Sequence, residues 1–126
     1  MPAYDAVRFS PPAPLAAVEL RDAATGKTWP NVPMLLDTGA DVTLLPRECV
    51  NRLELTIDPA NVYELMGFDG TRTKAVAVYL DLIFVGLRFR GRFLLIDQPE
   101  GILGRDILNH LNVSFHGPRL LWEAIS

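Results

Sequence analysis

The chain holds 126 residues, enough for one domain with a real hydrophobic core. With 49% hydrophobic and 21% charged residues it is no disordered chain, and a net charge of −3 sets nucleic acid outside the expected partners. A single cysteine, Cys49, excludes an internal disulfide and fits a reducing compartment. The first residues carry no signal-peptide pattern, and the longest apolar run, Ala75 to Val85, is broken by Asp81 and too short to span a bilayer. A soluble, cytoplasmic protein with no membrane partner is expected.

Residues 1–14 contain four prolines and little periodicity, which predicts an N-terminal arm ahead of a domain over 15–126. Leu15 to Arg21 alternates as a strand and meets the turn-forming group Asp22 to Gly26. Lys27 to Trp29 and Val32 to Leu36 resume an extended pattern, with Pro30 and Pro33 restricting it to an edge or a bend. After Asp37-Thr38-Gly39-Ala40-Asp41 and the apolar run Val42 to Leu45, Pro46 opens a short helix with Cys49, Val50 and Leu53 on one face. Tyr63 to Ala75 reads as a hairpin whose tip holds Gly67, Phe68, Asp69 and Gly70. Val76, Val78, Leu80, Leu82 and Phe84 share one face of a long strand, Gly86 turns it, and Phe89, Phe93 and Leu95 line the returning strand. Ile107, Leu108 and Leu111 predict a helix of about two turns, and Arg119 to Trp122 is extended again. About seven short strands with one or two small helices predict an all-β, barrel-like domain.

The chemistry concentrates in Leu35-Leu36-Asp37-Thr38-Gly39-Ala40-Asp41. A carboxylate placed directly after an apolar strand is hard to hydrate, Thr38 supplies a hydroxyl able to lock the loop, and Gly39 permits close backbone approach. A plain strand-to-turn junction, with Asp37 capping the turn, explains the same three letters. Elsewhere, Arg88, Arg90 and Arg92 alternate onto one strand face, which reads as a solvated, edge-protecting surface. Cys49 reads as a buried thiol with no histidine near it in sequence. His110 and His116 lack a cysteine or carboxylate at ligand spacing, so no metal and no cofactor is expected.

A second motif, Ile102-Leu103-Gly104-Arg105-Asp106, changes the weight of the first. Together the two resemble the retropepsin-like aspartic proteases, in order and rough spacing from about Leu15 to Phe115, and Thr43 to Pro46 with the helix after it looks like bacterial members of that group. The resemblance implies a single-lobe acid-protease barrel and an aspartic endopeptidase with Asp37 as catalytic carboxylate. It implies Thr38, Gly39, Ala40 and Asp41 as the active-site loop, and Met66, Gly67, Phe68, Asp69 and Gly70 as a flap over a peptide or protein substrate. Gly104, Arg105 and Asp106 become structural support, with the apolar strand before Gly104 threaded beside the loop and Arg105 expected to pair with Asp41. Peptide hydrolysis by this route needs two carboxylates sharing a proton, and the chain has one Asp-Thr-Gly. Asp69 sits at a flexible tip, Asp81 is mid-strand and Asp106 is read as a helix cap, so the second aspartate is expected from another copy in a two-fold homodimer. A silent peptide-binding or dimerisation module on the same fold is the alternative.

Overall fold

The computed structural model describes residues 2–53, 62–66, 70 and 72–125, and their side chains except at 62–66 and 72–75. Strands β1 (Tyr4–Asp5), β2 (Ala13–Arg21), β3 (Thr28–Leu36) and β4 (Leu44–Pro46) precede helix α1 (Arg47–Asn51). They are followed by β5 (Val62–Met66), β6 (Arg72–Phe84), β7 (Leu87–Ile96), β8 (Gly101–Leu103), helix α2 (Arg105–Leu108), β9 (Asn112–His116) and β10 (Leu121–Ile125). The main sheet runs β1-β2-β3-β8-β4-β7-β6-β5, and an added β2–β6 pairing closes β2, β3, β8, β4, β7 and β6 into a six-stranded barrel. No helix among the described residues is long and apolar enough to cross a membrane.

Period-two alternation builds the core. Ala16, Val18 and Leu20 of β2, Val32, Met34 and Leu36 of β3, Val78, Leu80, Leu82 and Phe84 of β6, and Phe93 and Leu95 of β7 all point inward and are buried. The stretch Thr28 to Leu36 is one strand, bent where Asn31 takes φ 59° between Pro30 and Pro33. Pro46 stands just before the first turn of α1, which buries Val50, with Leu53 buried after it and Cys49 packed half-buried on the core. Burial pushes the Cys49 thiol above its ordinary pKa, so it stays protonated at neutral pH. Helix α2 is shorter than its periodicity predicts, spanning four residues before a turn to Leu111.

The termini are docked in cis. Pro2 and Tyr4 exchange backbone hydrogen bonds with the Leu120–Trp122 segment, and Tyr4–Asp5 pairs with Ala13–Pro14. Strand β10 pairs with β9, and Trp122 is buried against Phe84, its indole N–H donating to the Leu15 carbonyl at 3.0 Å.

On the barrel's outer face Asp81 is fully covered. Its carboxylate accepts two bonds from the Arg90 guanidinium across the β6–β7 ladder, at 2.8 and 3.1 Å. Those bonds, with the nearby charge of Arg90, Arg88 and Arg21, hold the Asp81 carboxyl below the usual aspartate range against the opposing effect of burial. A depressed folded-state pKa stabilises the fold above the unfolded value of about 3.9 and loses that effect as pH falls below it. The stability difference between wild type and Asp81→Asn is therefore flat from neutral pH to about pH 5 and shrinks below about pH 4, as denaturant titrations at each pH will show.

The β6–β7 hairpin turns through Val85 and Gly86, at φ 47° and 77°. A two-residue turn of this hand favours Asn-Gly, whereas a β-branched valine is strained in the left-handed region. Val85 is 40% exposed, so little burial is lost on replacing it. Val85→Asn is expected to stabilise the chain by about 1 kcal/mol, read as a higher denaturation midpoint at unchanged slope.

Candidate active site

Two chain segments far apart in sequence meet because β8 pairs in parallel with β3, placing Met34, Leu35 and Leu36 beside Gly101, Ile102 and Leu103. The apolar strand before Gly104 is thus threaded beside the Asp37 loop, as the resemblance implies. β8 also touches β4, and the crossing is tight. A Cβ at Gly101 would collide with the Leu44 carbonyl oxygen and the Met34 sulfur, and one at Gly104 would lie 2.6 Å from the Val42 carbonyl carbon and oxygen. Both glycines are required by backbone approach.

The loop that leaves β3 is bonded to this second segment along its length. Asp37 N–H donates to the Leu103 carbonyl at 3.0 Å, and Arg105 N–H to the Ala40 carbonyl at 2.9 Å. The Arg105 guanidinium donates to the Thr38 carbonyl at 2.7 Å. At its far end Thr43, 1% exposed, gives its hydroxyl proton to Asp106 Oδ1 at 2.6 Å and its N–H to Oδ2 at 3.0 Å, while its oxygen accepts from Gly104 N–H at 3.1 Å.

Within the loop, Asp37 is half-buried, and its Oδ1 accepts from Gly39 N–H at 2.9 Å. Oδ2 has no hydrogen-bond partner among the described residues. A Cβ on Gly39 would stand 3.1 Å from Oδ1, so a side chain there would press on the carboxylate. The arrangement offers a carboxylate fixed by one donor and open at its second oxygen.

Three expectations are corrected. Arg105 does not pair with Asp41: its guanidinium is used by the Thr38 carbonyl, Asp41 is exposed, and no ion pair joins the two. The hydroxyl that locks the loop is that of Thr43, since Thr38 is exposed and engages through its carbonyl. Asp106 caps no helix, because α2 has Gly104 at its N-cap with no side-chain cap, and the Asp106 carboxylate holds Thr43 instead. Thr43 was detectable as the one polar residue in the run Val42 to Leu45. Of the flap residues, Met66 ends β5 and Gly70 is exposed at φ 83°, while Gly67, Phe68 and Asp69 lie outside the described residues.

Residues 24–107 match the family model for aspartyl proteases, a span that contains both motifs and the loop between β5 and β6. The chain belongs to the aspartyl protease family. It is similar to the EIAV protease solved in complex with the inhibitor HBY-793, at 30% identity and a TM-score of 0.59 over 78% of this chain and 86% of that one. No curated protein matches it. The aspartyl protease fold is thus of the retropepsin kind, single-lobed and mostly β, and the protein is a peptide-bond hydrolase.

In this aspartyl protease the Thr43 clasp is the part most sensitive to a change of a few atoms. Thr43→Val keeps the shape but leaves the buried Gly104 N–H without its acceptor and removes a donor from Asp106. It is expected to destabilise by about 1–3 kcal/mol and to lower peptide hydrolysis with it. Thr43→Ser, which keeps the hydroxyl, retains most of both, as paired denaturation and hydrolysis measurements will show.

Proposed function

We propose that the chain is a homodimeric endopeptidase in which Asp37 and the partner's Asp37 activate one water between them. The observation that carries this reading is the open carboxylate of Asp37 on a loop held from below. Two further described carboxylates bear on it: Asp81 is bound to Arg90 and Asp106 to Thr43, so neither is available as a second member of a dyad. A two-fold axis supplies an identical loop without further sequence.

Two carboxylates at such an axis share one proton, because like charges a hydrogen bond apart do not both ionise. The ionised one takes a proton from water as its oxygen bonds to the substrate carbonyl carbon. The protonated one gives its proton to the carbonyl oxygen. Collapse of the tetrahedral species breaks the C–N bond, with a proton passing to the departing nitrogen. Thr38, Gly39, Ala40 and Asp41 are proposed to border the peptide as the active-site loop. On sequence grounds Met66, Gly67, Phe68, Asp69 and Gly70 are proposed to cover it and exclude water. Gly104, Arg105 and Asp106 are proposed to act through the loop, without touching substrate, and residues 1–14 to serve as an arm docked on the catalytic domain over 15–126. A cytoplasmic location is part of the same proposal and is supported by the lone cysteine.

Asp37→Asn is the direct test. It retains the fold by circular dichroism and the dimer by sedimentation, and it lowers kcat by about 10²–10⁴-fold or more, since general acid–base catalysis contributes that much. Near wild-type hydrolysis by this variant overturns the role of Asp37. A monomer that remains fully active at every concentration overturns the dyad.

A further inference from the structure

Strand β7 is covered on both edges only at its C-terminal end. It pairs with β6 from Leu87 to Leu94, whereas β4 reaches it only at Leu94, Leu95 and Ile96. Over residues 88–93 no strand among the described residues lies on the second edge, and a groove of about 390 Å³ runs there between β7 and α2, bordered by Asp106 and His110.

The register says which backbone groups face that groove. The two-residue turn at Val85-Gly86 makes Phe84 and Leu87 a hydrogen-bonded pair, and the β6–β7 ladder runs unbroken from Phe84↔Leu87 to Ala77↔Leu94. Bonded and non-bonded pairs alternate, so Leu87, Phe89, Gly91 and Phe93 turn their N–H and C=O toward β6. Arg88, Arg90 and Arg92 turn theirs toward the groove. The same three residues project guanidinium groups on the outer face. Arg90 is held by Asp81, whereas Arg88 and Arg92 are exposed and carry no ion pair among the described residues. They stand about 13 Å apart along the strand at 3.3 Å per residue.

We propose that this edge is a docking site for an extended, acidic segment of polypeptide, which adds to the barrel as a strand beside β7. The backbone supplies the hydrogen bonds of strand addition, and the two unpaired arginines select carboxylates four residues apart on the incoming strand. Charge also decides against the competing occupant. A second copy pairing edge to edge would set arginine against arginine, and like charges directly opposite destabilise a strand pair. The carboxylate bordering the groove, Asp106, is already occupied by two bonds from Thr43. Asp37 does not line the groove, and the proposal does not depend on the catalytic one.

The test uses the intact chain and a fluorescein-labelled heptapeptide, Thr-Glu-Val-Thr-Val-Glu-Thr, followed by anisotropy, with mass spectrometry to verify that the peptide is not cleaved. Binding is expected to fall by about tenfold or more when both glutamates become lysine, and equally in the double variant Arg88→Glu, Arg92→Glu. N-methylating one alternate set of peptide amides is expected to abolish binding and the other set to leave it within about twofold, because only one set faces β7. Hydrogen exchange gives a second reading. The amides of Arg88, Arg90 and Arg92 exchange fast in the free chain and slow down on binding, while those of Phe89 and Gly91 are slow throughout. Equal effects of both N-methyl sets, slow exchange of Arg90 in the free chain, or equal binding of a single-stranded oligonucleotide each overturn strand addition. Failure of the glutamate peptide to bind at millimolar concentration overturns the site outright.

Discussion

Thr43 completes the tie between two chain segments that the parallel β3–β8 pairing brings together. Its hydroxyl is donor to Asp106 and acceptor from Gly104, and its N–H takes the remaining Asp106 oxygen. A buried polar group is costly when unpaired and specifying when fully paired, and here every group in the knot has its partner. Because Gly104 approaches Val42 so closely that a Cβ does not fit, the knot admits one relative position of loop and helix turn. The position of the Asp37 carboxylate follows from it through the Asp37–Leu103 and Ala40–Arg105 bonds.

The barrel makes that knot possible by bringing β8 between β3 and β4. Parallel pairing with β3 sends Leu103 past Asp37, and the short contact with β4 sends Gly104 past Val42. Strand parity then separates two surfaces. Inward positions of β6 and β7 fill the core with Leu80, Leu82, Phe93 and Leu95, while outward positions carry Asp81 and three arginines. A single alternation thus yields an apolar interior that holds the site rigid and a cationic exterior on the opposite side of the same strands.

Much of this was legible in the sequence because it depends on period-two alternation and on glycine. The inward faces of β2, β6 and β7 and the turn at Asp22 to Gly26 follow from residue type and spacing, and the threading of Ile102-Leu103 beside Asp37 from the family resemblance of the two motifs. What escaped were the partners of polar side chains. Arg105 and Asp41 carry opposite charges and suggest a pair, but a carbonyl left unbonded by the loop is as strong a claim on a guanidinium, and Thr38 supplies one. Asp106 follows a glycine at a helix start and suggests a cap, yet the N–H and hydroxyl of Thr43 reach it from another segment. Such choices are made by tertiary proximity, which spacing along the chain does not encode. Trp122, a near-terminal aromatic that fits core or interface alike, finds the Leu15 carbonyl with its indole N–H and Phe84 with its ring inside the same chain.

Folding and catalysis ask opposite things of a polar group. A group that stabilises the fold must have its hydrogen bonds met, and a group that moves protons must keep capacity unmet. The loop resolves this atom by atom. Its carbonyls at Thr38 and Ala40 are spoken for by Arg105, and Thr43 closes its end, so no backbone movement is needed to satisfy it. Among the described residues, Asp37 Oδ1 is oriented by Gly39 N–H alone, and Oδ2 has no partner. Gly39 contributes by what it lacks as well, since a methyl group there would crowd the oxygen it helps to aim. An aspartate so placed is rigid in position and unsaturated in bonding, the combination that a water-activating carboxylate requires.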